Sequence, residues 1–327
     1  MQLARGLREL PDVTVLNFSW RVALLAKYDV FHVHWPEILV SGHTPLKQLL
    51  RQLFTVALLF RLTLTDTPIV RTIHNIELPE DISAREKFLL RLFDRRTTLY
   101  IRLNSETPPP AGRPYVTIPH GHYRSWFSGC PQAEPVPGQI GYVGLIRRYK
   151  GVEDLISAFR ATADKHPEFS LRLGGNPSMP QLGETIVALS EGDERISLEL
   201  KYLSDPELVD VVSSSELVVL PYRFMHNSGG ALAALSLDRP VLVPANDVNR
   251  ALMNEVGPGW VFQYAGTLTP EKIVETLGAI AVQGPRTRPN LTGRDWSRGS
   301  ADHRDAYQQA LASGTARSRQ TRRAVSP

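Results

Sequence analysis

Residues 217–244, LVVLPYRFMHNSGGALAALSLDRPVLVP, admit few structures. The stretch opens and closes on short apolar runs, 217–220 and 240–243. Continuous rather than alternating apolar runs are what strands buried on both faces require. Between them, residues 229–237 are apolar or small all round, which predicts a helix packed against a sheet. The order is therefore strand, loop, helix, strand, and the start of the helix is its informative part. Asn227 and Ser228 suit an N-cap, while Gly229 and Gly230 leave the free backbone N–H groups unshielded. A helix start of this kind, at the carboxyl end of a parallel strand, favours a phosphate or diphosphate. An ordinary capped helix gives the same string.

The same alternation continues on both sides. Strands are predicted at 13–18, 29–35, 68–73, 99–103 and 115–118, then at 140–144, 170–174, 196–201, 217–220, 240–243 and 260–264, with helical spacing between most of them. This pitch predicts doubly wound α/β sheets. At 327 residues the chain has room for two cores. The expected division is a first domain over 1–130, a Pro- and Gly-rich linker over 131–138, a second domain over 139–294, a last helix over 295–312 and a disordered basic tail over 313–327.

Cys130 is the single cysteine, so no internal disulfide exists and a cytoplasmic setting is expected. No secretory signal or long uncharged apolar stretch is present, so no span of a membrane is predicted. The net charge of +4 is unevenly placed: residues 1–137 hold 16 Lys and Arg against 12 Asp and Glu, and residues 138–327 hold 21 against 21. A basic first half suits an anionic surface. Helices 45–64 and 82–96 carry Lys and Arg beside apolar stripes that would either rest on anionic lipid or cover the sheet. Nucleic acid is not an expected partner, because no aromatic platform accompanies the charge.

Two sets of residues have chemical potential. The loop 141–151, GYVGLIRRYKG, follows the first strand of the second half and brings Arg147, Arg148 and Lys150 to where a phosphate would lie. Its glycine spacing is not that of the dinucleotide fingerprint. A solvated basic turn is the alternative, but the turn at 227–230 should emerge from the same sheet edge and complete a diphosphate cradle. In the first half, polar residues gather at three strand ends: His32, His34 and Glu37; His74, Asn75, Glu77 and Glu80; and His120 and His122, followed by Tyr123. No pair has the HExxH spacing, so sugar binding and proton transfer are expected rather than metal binding.

GYVGLIRRYKGVEDLISAF, YLSDPELVDVVSSSELVVLPY and NSGGALAALSLDRPVLVP, in this order, resemble the nucleotide-sugar half of GT-B glycosyltransferases. DVFHVHWPE, VRTIHNIELPED, PHGHYRSWF, MHNSGG and EVGPGWVF resemble, more narrowly, the β-mannosyltransferase family of GDP-mannose:glycolipid enzymes. The resemblance implies two Rossmann-like domains facing across a cleft, the second holding the donor, with a final helix crossing back; against that pattern the chain starts at the first helix, so the first domain is expected to lack its N-terminal strand. It implies a metal-independent transfer from a nucleotide sugar, GDP-mannose, to a lipid-linked saccharide in exopolysaccharide or cell-surface glycan assembly, with no cofactor. The enzyme would be cytoplasmic and peripheral on the inner membrane face.

By this likeness Arg147, Lys150, Asn227, Ser228, Gly229 and Gly230 hold the diphosphate, and Tyr202 and Tyr222 flank the nucleoside. Glu37 is the expected base, with His74 beside it and Glu77 or Glu80 as alternatives. His34, Asn75, His120, His122 and Tyr123 would contact the sugar or acceptor. Retaining enzymes of this fold commonly carry two glutamates over the helix 229–237. Here Met225 and Ala233 occupy those places, which favours inversion. A retaining hexosyltransferase and a non-catalytic nucleotide-sugar-binding protein are the rival readings.

Overall fold

The structure, a computed structural model, describes residues 2–74, 82–282 and 287–324, with side chains to Ser313. The chain divides into two compact units, 1–121 with 294–327, and 122–293.

The first unit contains α1 (Gln2–Arg8), α2 (Trp20–Leu25), β1 (Phe31–Val33), α3 (Glu37–Val40), α4 (Pro45–Leu64), β2 (Ile69–Ile73), α5 (Ala84–Arg96), β3 (Thr97–Arg102) and β4 (Tyr115–Thr117). Its four strands are parallel, in the order β1-β2-β3-β4. One face of the sheet is covered by Leu58, Leu59 and Leu62 of α4 and Phe93 of α5, which pack with Phe31, Val33 and Ile69. Val70, Leu99, Ile101 and Ile118 pack on the other side with Ala306 and Ala310 from the end of the chain. Local signals set the helix starts. Thr44 accepts from the Lys47 N–H with Pro45 at the first turn, and Ser83 and Glu86 form a capping box at α5.

Residues 13–18 are a correction to the sequence reading, because they take no regular structure and pair with no strand among the described residues. Leu16 and Phe18 are exposed, and the Phe18 ring packs edge-on against Trp20 and Phe31 at 5.3 and 6.3 Å. Side-chain packing holds this segment where a backbone ladder was expected.

The second unit contains α6 (Arg124–Phe127), β5 (Val136–Val143), α7 (Val152–Arg160), β6 (Ser170–Gly174), α8 (Pro180–Ser190), β7 (Ile196–Glu199), α9 (Asp205–Ser214), β8 (Ser215–Val219), α10 (Gly229–Ser236), β9 (Val241–Pro244), α11 (Asp247–Val256), β10 (Val261–Tyr264) and α12 (Pro270–Val282). The sheet is parallel in the order β10-β9-β8-β5-β6-β7. The chain winds outward from β5 to β7, returns to lay β8 on the other side of β5, and winds outward again. β5 and β8 are thus neighbours where the winding reverses, and the crevice at the carboxyl ends of two such strands is where ligands of doubly wound sheets bind. Every residue of α10 from Ala231 to Ser236 is buried, as its all-round apolar sequence requires.

The break between units falls at Gly121 and His122 rather than at residues 131–138. Phe127 lies in the second core, and the Trp126 indole N–H donates to Asp205 at 2.9 Å, so the segment belongs with the second unit. β5 begins inside the stretch drawn as linker because Val136 pairs with Ser215. The last helix, α13 (Trp296–Ala324), runs past the expected end at residue 312 through a stretch rich in the good helix formers Ala, Arg and Gln.

Candidate active site

In the second unit, the loops after β5, β6 and β8 meet backbone to backbone. Gly144 has φ +132°, and its carbonyl occupies the space a side chain on Gly175 would need. Gly151, with φ +61°, likewise presses against the Pro221 carbonyl, so both the conformation and the contact demand glycine. Beside that contact the Arg223 N–H donates to the Tyr149 carbonyl at 2.8 Å, and the Arg223 guanidinium pairs with Asp154 at 3.1 Å. From the opposite side Asn246 donates to the Met225 carbonyl at 2.8 Å, and Asn249 to that of Pro244 at 2.7 Å. The two loops expected to hold a diphosphate are therefore fastened to each other and to the sheet.

Ser228 caps α10, accepting from the Ala231 N–H at 3.1 Å, and also hydrogen-bonds the Tyr222 hydroxyl. The Lys150 ammonium lies 4.8 Å over the Tyr222 ring and close to Gly144. Burial, reinforced by the Arg147 charge, lowers its pKa from 10.5 to about 8. Among the described residues no carboxylate pairs with it. A half-buried cation with no carboxylate partner among the described residues, over the ring that also faces the start of α10, is a strong anion acceptor.

The expected nucleoside contacts separate. Tyr222 is buried in the wall beneath Lys150, whereas Tyr202 is 73% exposed on the loop after the edge strand β7. The phenol groups nearest the start of α10 are Tyr123, facing Gly229, and Tyr222, facing Gly230. Burial raises both phenol pKa values, so each stays protonated and able to donate. Met225 and Ala233 are buried and apolar, and no carboxylate occupies either place.

The first unit collects the histidines. Alternation along β1 sends His32 and His34 to one face, with ring centroids 4.5 Å apart. His32 is held at both nitrogens, Nδ1 by the Tyr307 hydroxyl and Nε2 by the Thr72 hydroxyl, each at 2.8 Å. Such a saturated, buried ring is structural, and burial holds its pKa well below 6.5. His34 and His74 share a hydrogen bond of 2.9 Å between Nδ1 and Nε2, and His74 stacks on Trp35 at 4.1 Å. Burial first, then neighbouring imidazoles, lowers His34 to about 4 and His74 to about 3. Both are neutral at pH 7 and can bind hydroxyls or pass a proton without adding charge. His120 Nδ1–H donates to the Gly121 carbonyl at 2.8 Å and meets Trp296 edge-on, and burial lowers its pKa as well.

Glu37 opens α3, and its Oε1 lies 3.6 Å from the Arg71 guanidinium, which also pairs with Asp94. Asn75, Glu77 and Glu80 lie outside the described residues. His122 falls in the second unit, where its Nδ1 accepts from the Arg124 N–H at 3.3 Å. The expected sugar and acceptor contacts thus divide into His34, His74 and His120 in one unit, and His122 and Tyr123 in the other. Among the described residues no group of three or more His, Cys, Asp or Glu is disposed to hold a metal ion.

Sequence reasoning passed over Arg71, Trp35, Thr72 and the α13 pair His303 and Tyr307. Only the last pair carried a signal, since a spacing of four places both on one helix face. Nothing in the sequence said which sheet that face would meet.

No protein-family model matches the chain. The sequence is 45% identical over 305 residues to a GDP-mannose:glycolipid 4-β-D-mannosyltransferase of Xanthomonas campestris pv. campestris, an overlap of 92% of this chain and 86% of that protein. Among solved structures, HepE of Anabaena in complex with UDP-glucose aligns with a TM-score of 0.54 and 16% identity, over 84% of this chain and 77% of its own. The GtfA/B complex aligns with a TM-score of 0.55 and 11% identity, over 79% of this chain and 55% of its own. At such identities these likenesses speak for the fold, which is that of GT-B glycosyltransferases.

Proposed function

Because the chain belongs to the family of GDP-mannose:glycolipid 4-β-D-mannosyltransferases, we propose that it transfers mannose from GDP-mannose to a glycolipid hydroxyl with inversion at the anomeric carbon. The observation that carries this reading is the desolvated Lys150 beside the capped start of α10, on two loops tied together at the β5 and β8 strand ends.

In the proposed reaction a base removes the acceptor hydroxyl proton as the oxygen attacks the anomeric carbon, and the bond to the diphosphate breaks on the opposite face. Negative charge then grows on the departing GDP. Lys150, Arg147 and the N–H groups at Ser228, Gly229 and Gly230 are preorganised to receive it, and Tyr222 holds both Lys150 and Ser228 in place. With Met225 and Ala233 where retaining relatives of this fold carry carboxylates, the donor side offers no group of that kind, in keeping with inversion. We assign the base to Glu37, which Arg71 keeps in position, with the neutral pair His34 and His74 orienting sugar hydroxyls. Asn227, His120, His122 and Tyr123 complete the proposed contacts to substrate.

The acceptor in this reading is a polyprenyl-diphosphate-linked saccharide of exopolysaccharide or cell-surface glycan assembly, met at the inner membrane face. Support comes from α4, which is apolar twice over. Leu58, Leu59 and Leu62 face the core, while Leu46, Leu49, Leu50, Leu53, Val56, Phe60 and Leu64 form a second stripe exposed to solvent. An exposed apolar stripe flanked by Lys47 suits the surface of an anionic bilayer. No helix among the described residues is long and apolar enough to cross a membrane.

Thermal-shift measurements against a panel of nucleotide sugars test the donor assignment, since a ligand that binds only the folded state stabilises it. GDP and GDP-mannose should raise the melting temperature more than UDP sugars at equal concentration. A larger rise with UDP sugars would move the donor assignment elsewhere.

A further inference from the structure

A basic pocket of about 520 Å³ opens in the first unit between α5, the end of β2 and the proline-rich loop before β4. Its size falls within the ~300–1,000 Å³ of ordinary ligand pockets. Among the described residues, Arg71, Arg91, Arg95 and Arg113 line it with one carboxylate, Asp94. Asp94 is already engaged: the Arg71 guanidinium pairs with it, and the Tyr100 hydroxyl donates to it at 3.2 Å. The carbonyls at the end of α5, which would repel an anion, are covered by Arg113, whose guanidinium donates to those of Asp94 and Arg95 at 3.3 and 3.4 Å.

This leaves an unbalanced charge. Arg91 and Arg95 sit one turn apart on α5, a like-charged spacing that destabilises a helix, and among the described residues neither forms an ion pair. The Arg71 Nε is buried with no hydrogen-bond partner among the described residues. Guanidinium groups present forked donors that match phosphate oxygens two at a time, and several converging on one hollow match a polyphosphate better than a single carboxylate. The pocket shares α5 with the core beneath α4, and Arg71 also touches Glu37, so it belongs to the half of the molecule assigned to the acceptor.

We propose that this arginine pocket binds the diphosphate of the lipid-linked acceptor, at the junction between its saccharide and its hydrocarbon chain. The assignment rests on the glycolipid acceptor proposed above. It adds a second diphosphate site, distinct from the donor cradle around Lys150, with each site in its own unit of the chain. A phospholipid headgroup offers the same chemistry as a phosphate ester, and the test separates the two sources.

The probe is geranyl diphosphate, titrated by calorimetry in the presence of saturating GDP so that the donor cradle is filled. Three proteins are compared: the wild type, the double variant Arg91→Ala/Arg95→Ala, and a control, Arg85→Ala/Lys87→Ala, which removes equal charge from exposed positions of α5 outside the pocket. The expected result is at least tenfold weaker binding of geranyl diphosphate by Arg91→Ala/Arg95→Ala, with the control like wild type. The GDP-induced thermal shift should be the same in all three, which shows that the pocket variant is folded and that the donor reading stands or falls separately. Equal binding of geranyl diphosphate by all three proteins overturns the proposal. So does a loss confined to flotation with phosphatidylglycerol vesicles, which would make the pocket a headgroup site.

Discussion

Lys150 is a half-buried cation with no carboxylate partner among the described residues, and its pH behaviour follows from that. With its pKa lowered to about 8 in the free protein, an anionic donor binds best to the charged form. Donor affinity should be fully present below about pH 8 and fall as pH rises through that value. In Lys150→Arg the guanidinium stays charged, so KM for GDP-mannose should remain level to about pH 9.5 while that of the wild type climbs. Parallel profiles for the two proteins would remove Lys150 from the donor site. Glu37 makes a different prediction, because a base acts on the rate and not on donor binding. Glu37→Gln should lower kcat by ~10²–10⁴-fold and leave the GDP-mannose thermal shift unchanged. Near-normal turnover in that variant would reassign the base. Single residues were unequally legible in the sequence. That the loops 141–151 and 221–230 lie together could be read because a loop between a strand and a helix has a local signature. Arg71 sits mid-strand, looking like a solvated charge, and only its long-range partners Glu37 and Asp94 give it meaning.

Among the elements, α10 and α4 show where periodicity suffices and where it fails. An eight-residue helix with no polar face has one possible place, inside, and that is where α10 lies. The twenty residues of α4 carry two apolar stripes, and spacing alone does not say which one meets the sheet. Gln52 and Thr55 belong to the buried side because their side chains donate to the carbonyls of Val40 and Leu39, a pairing visible only once α3 is in place. The outer stripe then needs its own explanation. If it rests on lipid, replacing Leu53 and Phe60 by Glu should abolish flotation with anionic vesicles at low salt without lowering the melting temperature, since both side chains are more than half exposed. Unchanged flotation would return α4 to an ordinary, unusually apolar surface helix.

On the scale of the whole molecule, the two α/β units were legible from the pitch of strands and helices, while their borders were not. Proline and glycine mark residues 131–138 as a break, yet the chain changes units earlier because Phe127 is buried in the second core. The return of α13 to the first unit is fixed by Ala306, Ala310 and the Tyr307–His32 hydrogen bond, contacts between opposite ends of the sequence that no local pattern contains. Each unit carries one part of the proposed chemistry: the diphosphate cradle in the second, and the carboxylate, neutral histidines and arginine pocket in the first. The claim that joins them is inverting mannosyl transfer, and the stereochemistry of the product tests it most directly. The protein should be incubated with GDP-mannose and a polyprenyl-diphosphate-linked oligosaccharide, and the one-bond carbon–proton coupling at the new anomeric centre measured by NMR. The account predicts a β-linked mannose on the acceptor, and an α-linked product would contradict it.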